Sequence, residues 1–238
     1  MKIVVLGEPS SALATGVAGR FAASGLEVVG SPDTSDDADR FEDAVRTADA
    51  GIDCSVVNRG LKARHVALLD RMLPATAPIL TCCHAASATM VAAGLDHPDR
   101  VTGFALLPPW DGRATVECAR ALQTGEPAVP VAEAIWRSAG LEPVWVADSA
   151  GLVLPRIVAC LANEAFFAVI DRTASADDID RAMMLGTRYP RGPLAWAHVI
   201  GLDQVLATLD ALAVEHGEDR YRAAPLLRRM VAAGGGRT

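Results

Sequence analysis

Lys2-Ile3-Val4-Val5-Leu6-Gly7 opens the chain and decides the first layer of the fold. A short β-branched run closed by a glycine is the pattern of a strand buried on both faces of a parallel sheet. Ser10 and Ser11 follow and can cap a helix running to about residue 24, on which Leu13, Val17 and Phe21 recur at helical spacing. Gly25 stops that helix, and residues 26–29 form a second apolar strand. Strand, helix and strand in this order make a βαβ opening.

The alternation continues. Residues 31–39 (Ser-Pro-Asp-Thr-Ser-Asp-Asp-Ala-Asp) are polar and acidic and predict a loop. Strands are expected at 52–57, 78–83, 101–107, 115–119 and 142–146, with helices at 41–47, 61–72, 87–93 and 129–139. Such a pattern calls for an α/β sheet with right-handed crossovers. After Asp148 the β-branched runs cease. Amphipathic periods take over at 152–172, 176–185, 192–199, 204–215 and 224–232, which predicts a helical second domain. The expected organisation is a parallel-sheet α/β domain over 1–148 and an all-helical domain over 149–238, with Gly234-Gly-Gly-Arg-Thr238 as a flexible tail.

The 238 residues are 51% hydrophobic and 21% charged, enough for one large domain or two small ones with cores of their own. A net charge of -7 argues against nucleic acid as a partner, and any site for an anionic ligand must be a local basic pocket. The cysteines (Cys54, Cys82, Cys83, Cys118 and Cys160) are odd in number and lack a disulfide-scaffold rhythm, which suggests a reducing compartment. The opening apolar run is too short for a signal segment, and no stretch has the length of a membrane helix. The expectation is a soluble cytoplasmic protein that engages neither membrane nor nucleic acid.

The second half carries the family signal. Gly151-Leu-Val-Leu-Pro-Arg156, Leu161-Ala-Asn-Glu-Ala165, Asp178-Ile-Asp-Arg-Ala-Met-Met-Leu-Gly186, Tyr189-Pro-Arg-Gly-Pro193, Ile200-Gly-Leu-Asp203 and Tyr221-Arg-Ala-Ala-Pro-Leu-Leu-Arg228 follow one another in order and spacing. Together they resemble the C-terminal domain of the 3-hydroxyacyl-CoA dehydrogenase family, over roughly the last third of the chain. The resemblance implies a Rossmann-like N-terminal domain that binds NAD. It also implies an NAD-dependent interconversion of 3-hydroxyacyl-CoA and 3-ketoacyl-CoA, and dimerisation through the helical domain. In this chain only about twenty residues separate the second strand from the third, too few for the helical hairpin that the family places there, so the Rossmann-like domain is expected to be reduced.

A dinucleotide site needs a Gly-x-Gly-x-x-Gly turn after the first strand. The corresponding residues are Gly7-Glu-Pro-Ser-Ser-Ala12. Gly7 fits the first position and Ala12 the third. Pro9 stands at the second, where it offers no N–H and puts a ring in the path of the phosphate, and Glu8 adds a negative charge. Asp33 is the candidate for the ribose-binding carboxylate. These substitutions predict poor or absent binding of NAD(H).

The family's reaction, as the resemblance implies it, uses a His as general base, a Glu that orients it, and a Ser and an Asn that contact substrate. Gly103-Phe-Ala-Leu-Leu-Pro-Pro109 matches the base segment and puts Ala105 at the His. Thr115-Val-Glu117 supplies Glu117 at the position of the orienting Glu. Cys83-His-Ala-Ala86 puts Ala85 at the Ser, and Gly151-Leu-Val-Leu-Pro-Arg156 puts Pro155 at the Asn. His84, at the carboxyl end of a strand, is the candidate replacement for the base, although a loop histidine with an ordinary hydrogen bond has the same pattern. Cys82-Cys83-His84 has no second ligand cluster, so no metal site is expected. His65 reads as a surface residue of a helix and His198 as packed, while Asp177, Asp178 and Asp180 read as favourable acids at a helix start. Two functional readings stay open: a 3-hydroxyacyl-CoA dehydrogenase using NAD, and a non-catalytic dimeric relative that binds acyl-CoA or a full-length paralogue.

Overall fold

The computed structural model describes residues 1–9, 11–30, 38–108, 112 and 114–235. They fall into two compact units, Met1–Leu152 and Val153–Thr238.

The first unit is an α/β sheet. Its strands are β1 (Lys2–Leu6), β2 (Glu27–Val29), β3 (Ala50–Asp53), β4 (Ile79–Cys82), β5 (Val101–Ala105), β6 (Thr115–Arg120) and β7 (Glu142–Val146). The helices between them are α1 (Ala12–Ala23), α2 (Ala38–Arg46), α3 (Arg59–Met72), α4 (Ala88–Ala92) and α5 (Ala128–Ser138). The spatial order is β2-β1-β3-β4-β5-β6-β7. Every neighbouring pair is parallel except β5–β6, which is antiparallel. The parallel-sheet expectation holds, with one reversal where the chain turns back after Ala105.

The centre of the sheet is buried because its strands are largely apolar on both faces. All residues of β3, β4 and β5 are buried. Trp136 of α5 is fully buried, with its ring centroid 4.9 Å from Phe104 and 5.8 Å from Phe21, so α1, β5 and α5 are joined through aromatic contacts. Ser11 caps α1 by accepting from Ala14 N at 3.2 Å, and Asn58 caps α3 by accepting from Leu61 N at 2.9 Å.

The third strand differs most from its expected extent. The apolar run at 52–57 predicts a strand through Val57, yet β3 ends at Asp53. The N–H groups of Val56 and Val57 have no ladder partner because both donate to a side chain, described below. Period and propensity cannot reveal where a backbone donor points.

The second unit is helical: α6 (Leu154–Ile170), α7 (Ala176–Thr187), α8 (Pro193–Ile200), α9 (Leu202–His216) and α10 (Pro225–Ala232). Pro155 lies in the first turn of α6, where a missing N–H costs no helical hydrogen bond. Asn163, buried in the middle of α6, accepts from Ala224 N at 2.7 Å and donates to Arg222 O at 3.0 Å, which ties the approach to α10 onto α6. Asp180 does more than favour its own helix start. Its two carboxylate oxygens accept from Leu194 N and Ala195 N, each at 2.8 Å, so it caps α8. A Cβ at Gly192 would come within 2.3 Å of Asp180, so glycine is required at that approach. His198 is exposed, contrary to the packed position expected for it. Among the described residues no single helix is long and apolar enough to cross a membrane.

Candidate functional site

In an open parallel sheet, ligands bind outside the carboxyl ends of the strands, where successive connections leave in opposite directions. Here that switch point lies between β1 and β3, since the chain passes from β1 outward to β2 and then returns to β3 on the other side. Three strand ends meet in this region. Leu6 is in register with Asp53, and Asp53 with Thr81.

Gly7 follows β1 directly. A Cβ there would lie 2.7 Å from the Ala14 Cβ and 3.4 Å from that of Cys54, so the glycine permits the close approach of α1 to the sheet. Ala12 is the first residue of α1 and is exposed. Pro9 is exposed in the turn between them. Asp33, the other cofactor candidate, lies outside the described residues.

Glu8 crosses the switch point. Its Oε1 accepts from Val56 N at 2.7 Å, Val57 N at 2.8 Å and Asn58 N at 3.1 Å. These N–H groups immediately precede α3 and end on its cap residue. The site combines converging backbone donors with the positive end of a helix dipole, and a carboxylate of the chain itself fills it.

Beneath it lies a buried ionic cluster. Asp53 is fully buried, and Lys62 Nζ stands 2.5 Å from its Oδ2. Thr81 Oγ1 donates to the same oxygen at 2.9 Å, and Ser55 N donates to Oδ1 at 3.1 Å. Lys62 also donates to the carbonyls of Cys82 at 2.8 Å and Ser55 at 3.1 Å, so all three ammonium protons have acceptors. Burial alone would raise the Asp53 carboxyl, but the Lys62 charge and the hydrogen bonds from His65, Lys62 and Ser55 hold it down at about 2. Burial would likewise lower Lys62, and the charge of Asp53 overrides it and raises the amine. Lys62 is therefore a permanent cation at neutral pH and no nucleophile.

His65 belongs to this cluster rather than to the surface. Its side chain is 14% exposed, and its Nδ1 lies 2.9 Å from Ser55 Oγ and 3.8 Å from Asp53 Oδ1. Ser, His and Asp meet here without forming a nucleophilic triad. Serine and carboxylate share one ring nitrogen, and Ser55 is fully buried beyond reach of a substrate. Burial pushes the Cys82 thiol up to about 12 and raises those of Cys54 and Cys83, so none is a thiolate nucleophile at neutral pH.

His84 follows β4 and is buried, and Ala85 beside it is also buried. Glu117 lies on β6 in register with Ala105 of β5. Strand β5 stands between Glu117 and β4, the strand that His84 follows, so their backbones are about 10 Å apart. Among the described residues no group of three His, Cys, Asp or Glu side chains is placed to hold a metal ion.

Residues 151–238 match the C-terminal domain of 3-hydroxyacyl-CoA dehydrogenase. The chain is 34% identical over 193 residues to a 3-hydroxybutyryl-CoA dehydrogenase of Clostridioides difficile, covering 81% of this chain and 68% of that one. The chain belongs to the 3-hydroxyacyl-CoA dehydrogenase family. A probable 3-hydroxybutyryl-CoA dehydrogenase of Bacillus subtilis is also 34% identical, over 187 residues that cover 79% of this chain and 65% of the relative. The match therefore spans about two thirds of the length of these relatives. In three dimensions the chain resembles the (S)-3-hydroxybutyryl-CoA dehydrogenase of Ralstonia eutropha, with a TM-score of 0.80 and 29% identity over 98% of this chain and 94% of the other.

The Glu8 cradle and the Asp53–Lys62 pair were not expected from sequence as contacts. Lys62 carried a usable signal: it falls one turn into a capped helix that follows a strand end, where a side chain can reach back over the sheet. The partners of Glu8 lie 48 to 50 residues away, and nothing local marks them.

Proposed function

We propose that this chain acts in acyl-CoA metabolism as a non-catalytic dimeric relative of the 3-hydroxyacyl-CoA dehydrogenases, binding acyl-CoA or a full-length paralogue rather than transferring hydride. The observation that carries the reading is the pair Ala105 and Glu117. The resemblance puts the general base at Ala105 and its orienting carboxylate at Glu117, and the two residues face each other in register across β5 and β6. The place of the base is held by a methyl group, which accepts no proton.

Dimerisation is supported by the helical unit on its own. Helix α7 has no buried residue, with Leu185 73% and Met184 42% exposed, and α6 leaves Ile157 50% exposed. Apart from the Asp180 contacts to α8, α7 is thinly covered within its own unit, and an interface on this side would cover its exposed apolar residues. A cytoplasmic location suits the five free cysteines.

The family's own reaction, NAD-dependent oxidation of a 3-hydroxyacyl-CoA, is the second reading. The presence of Glu117 and a histidine, His84, at the carboxyl end of β4 favours it. Turnover of acetoacetyl-CoA with NADH between pH 7 and 9 separates the two. The proposal expects a rate at the background level, with acyl-CoA binding detected by calorimetry in the same preparation. A turnover number near the ~10 per second typical of enzymes would replace it with the second reading.

A further inference from the structure

The geometry points to Glu8 as a latch that takes the place of an anionic ligand, closing the dinucleotide crevice with the chain's own carboxylate. The crevice outside β1 and β3 is where an open α/β sheet of this strand order receives a nucleotide. A pyrophosphate would need free backbone N–H groups on the turn after β1 and room beside a helix amino end. Neither is offered. Pro9 has no N–H to give, and its ring stands in the turn. The nearest converging donors, at Val56, Val57 and Asn58, all bond one Glu8 oxygen at 2.7 to 3.1 Å. A phosphate approaching them would meet a carboxylate already seated, and two anions cannot share the cradle. The residues present therefore do not fit NAD.

The contact also has a positive role. It ties the turn after β1 to the loop after β3, just beyond the bond from Cys54 N to Leu6 O at 2.6 Å that closes the β1–β3 ladder. The bridge is part of the chain itself. The loss of strand pairing at Val56 and Val57 has the same cause, because those donors are committed to Glu8.

This inference stands apart from the assignment of a non-catalytic role, which rests on Ala105. Its test uses the full chain as wild type, Glu8→Ala, Glu8→Gln and Pro9→Gly. Calorimetry with NADH and with inorganic pyrophosphate at low ionic strength is combined with amide hydrogen exchange at Val56, Val57 and Asn58. Wild type and Pro9→Gly are expected to bind neither ligand, since the latch is intact in both. Glu8→Ala is expected to bind pyrophosphate in the vacated cradle. Its three amides should exchange faster by on the order of tenfold or more. Should Glu8→Ala not fold, Glu8→Gln keeps one neutral acceptor and should show the same acceleration to a smaller degree. Unchanged exchange in both Glu8 variants would overturn the latch. So would failure of a folded Glu8→Ala to bind pyrophosphate, or NADH binding to wild type at micromolar concentration. NADH bound without turnover would remove the latch and leave the non-catalytic reading standing.

Discussion

Glu117 of β6 stands directly across from Ala105 of β5, in the antiparallel pair that turns the sheet back on itself. Opposed residues in such a pair have Cβ atoms about 5 Å apart, close enough for a carboxylate to orient an imidazole had Ala105 carried one. At the position opposite, the chain carries the methyl group of Ala105. Glu117→Gln is expected to leave acyl-CoA affinity and any residual reduction of acetoacetyl-CoA unchanged. A hundredfold fall in rate with folding intact would show that the site is live and that another residue supplies the base.

The pair Asp53 and Lys62 is expected to behave as a buried ion pair whose halves are safe only together. Lys62→Met removes the cation and leaves Asp53 fully buried with its charge uncompensated. The expected loss is about 3–5 kcal/mol in denaturant unfolding. Replacing both members, as Asp53→Asn with Lys62→Met, should recover most of that loss, because no charge then lies in the interior. If the double variant is as unstable as the single one, the cost comes from packing rather than charge.

The same pair fixes a pH dependence. The Asp53 carboxyl sits at about 2 in the folded chain against an ordinary 3.8. Its folded value is the lower one, so the stabilisation is fully present above 3.8 and is lost as pH falls toward about 2. It amounts to roughly 2 kcal/mol. Lys62 is raised above 10.5, so its share is present below 10.5 and declines only at more alkaline pH. A urea midpoint followed from pH 5 to pH 2 should fall more steeply in the wild type than in the Asp53→Asn, Lys62→Met double variant. Equal slopes would place the acid sensitivity elsewhere.

Light scattering at micromolar concentration is expected to give a dimer. An obligate interface of roughly 2,000 Å² in total would be normal for such a pair. Leu185 is 73% exposed on α7, a helix without a buried residue, so Leu185→Glu should leave the unit folded and shift the mass toward the monomer. A wild-type monomer would refute dimerisation, and a dimer unaffected by Leu185→Glu would move the interface off α7.

Asp180→Ala tests a contact inside one unit. It removes both bonds to the first turn of α8. The expected cost is about 1–2 kcal/mol, in the range of a lost helix cap, read as a fall in unfolding midpoint with unchanged slope.

The sequence by itself determined the α/β-then-helical order, the caps at Ser11 and the stop at Gly25. These depend on neighbours in the chain: apolar period, capping oxygens and a residue free to adopt a φ of +77°. It also determined the family, through segments whose order and spacing survive in the helical half. Tertiary structure alone decided the rest. Whether Val56 and Val57 continue a strand depends on where their N–H groups point, and they point at Glu8. Whether His65 is a surface residue depends on Ser55 and Asp53 lying behind it, and whether Ala105 matters depends on what the opposite strand brings across. Hydrogen bonds and ion pairs between residues distant in sequence are set by strand order and register, which no local pattern encodes.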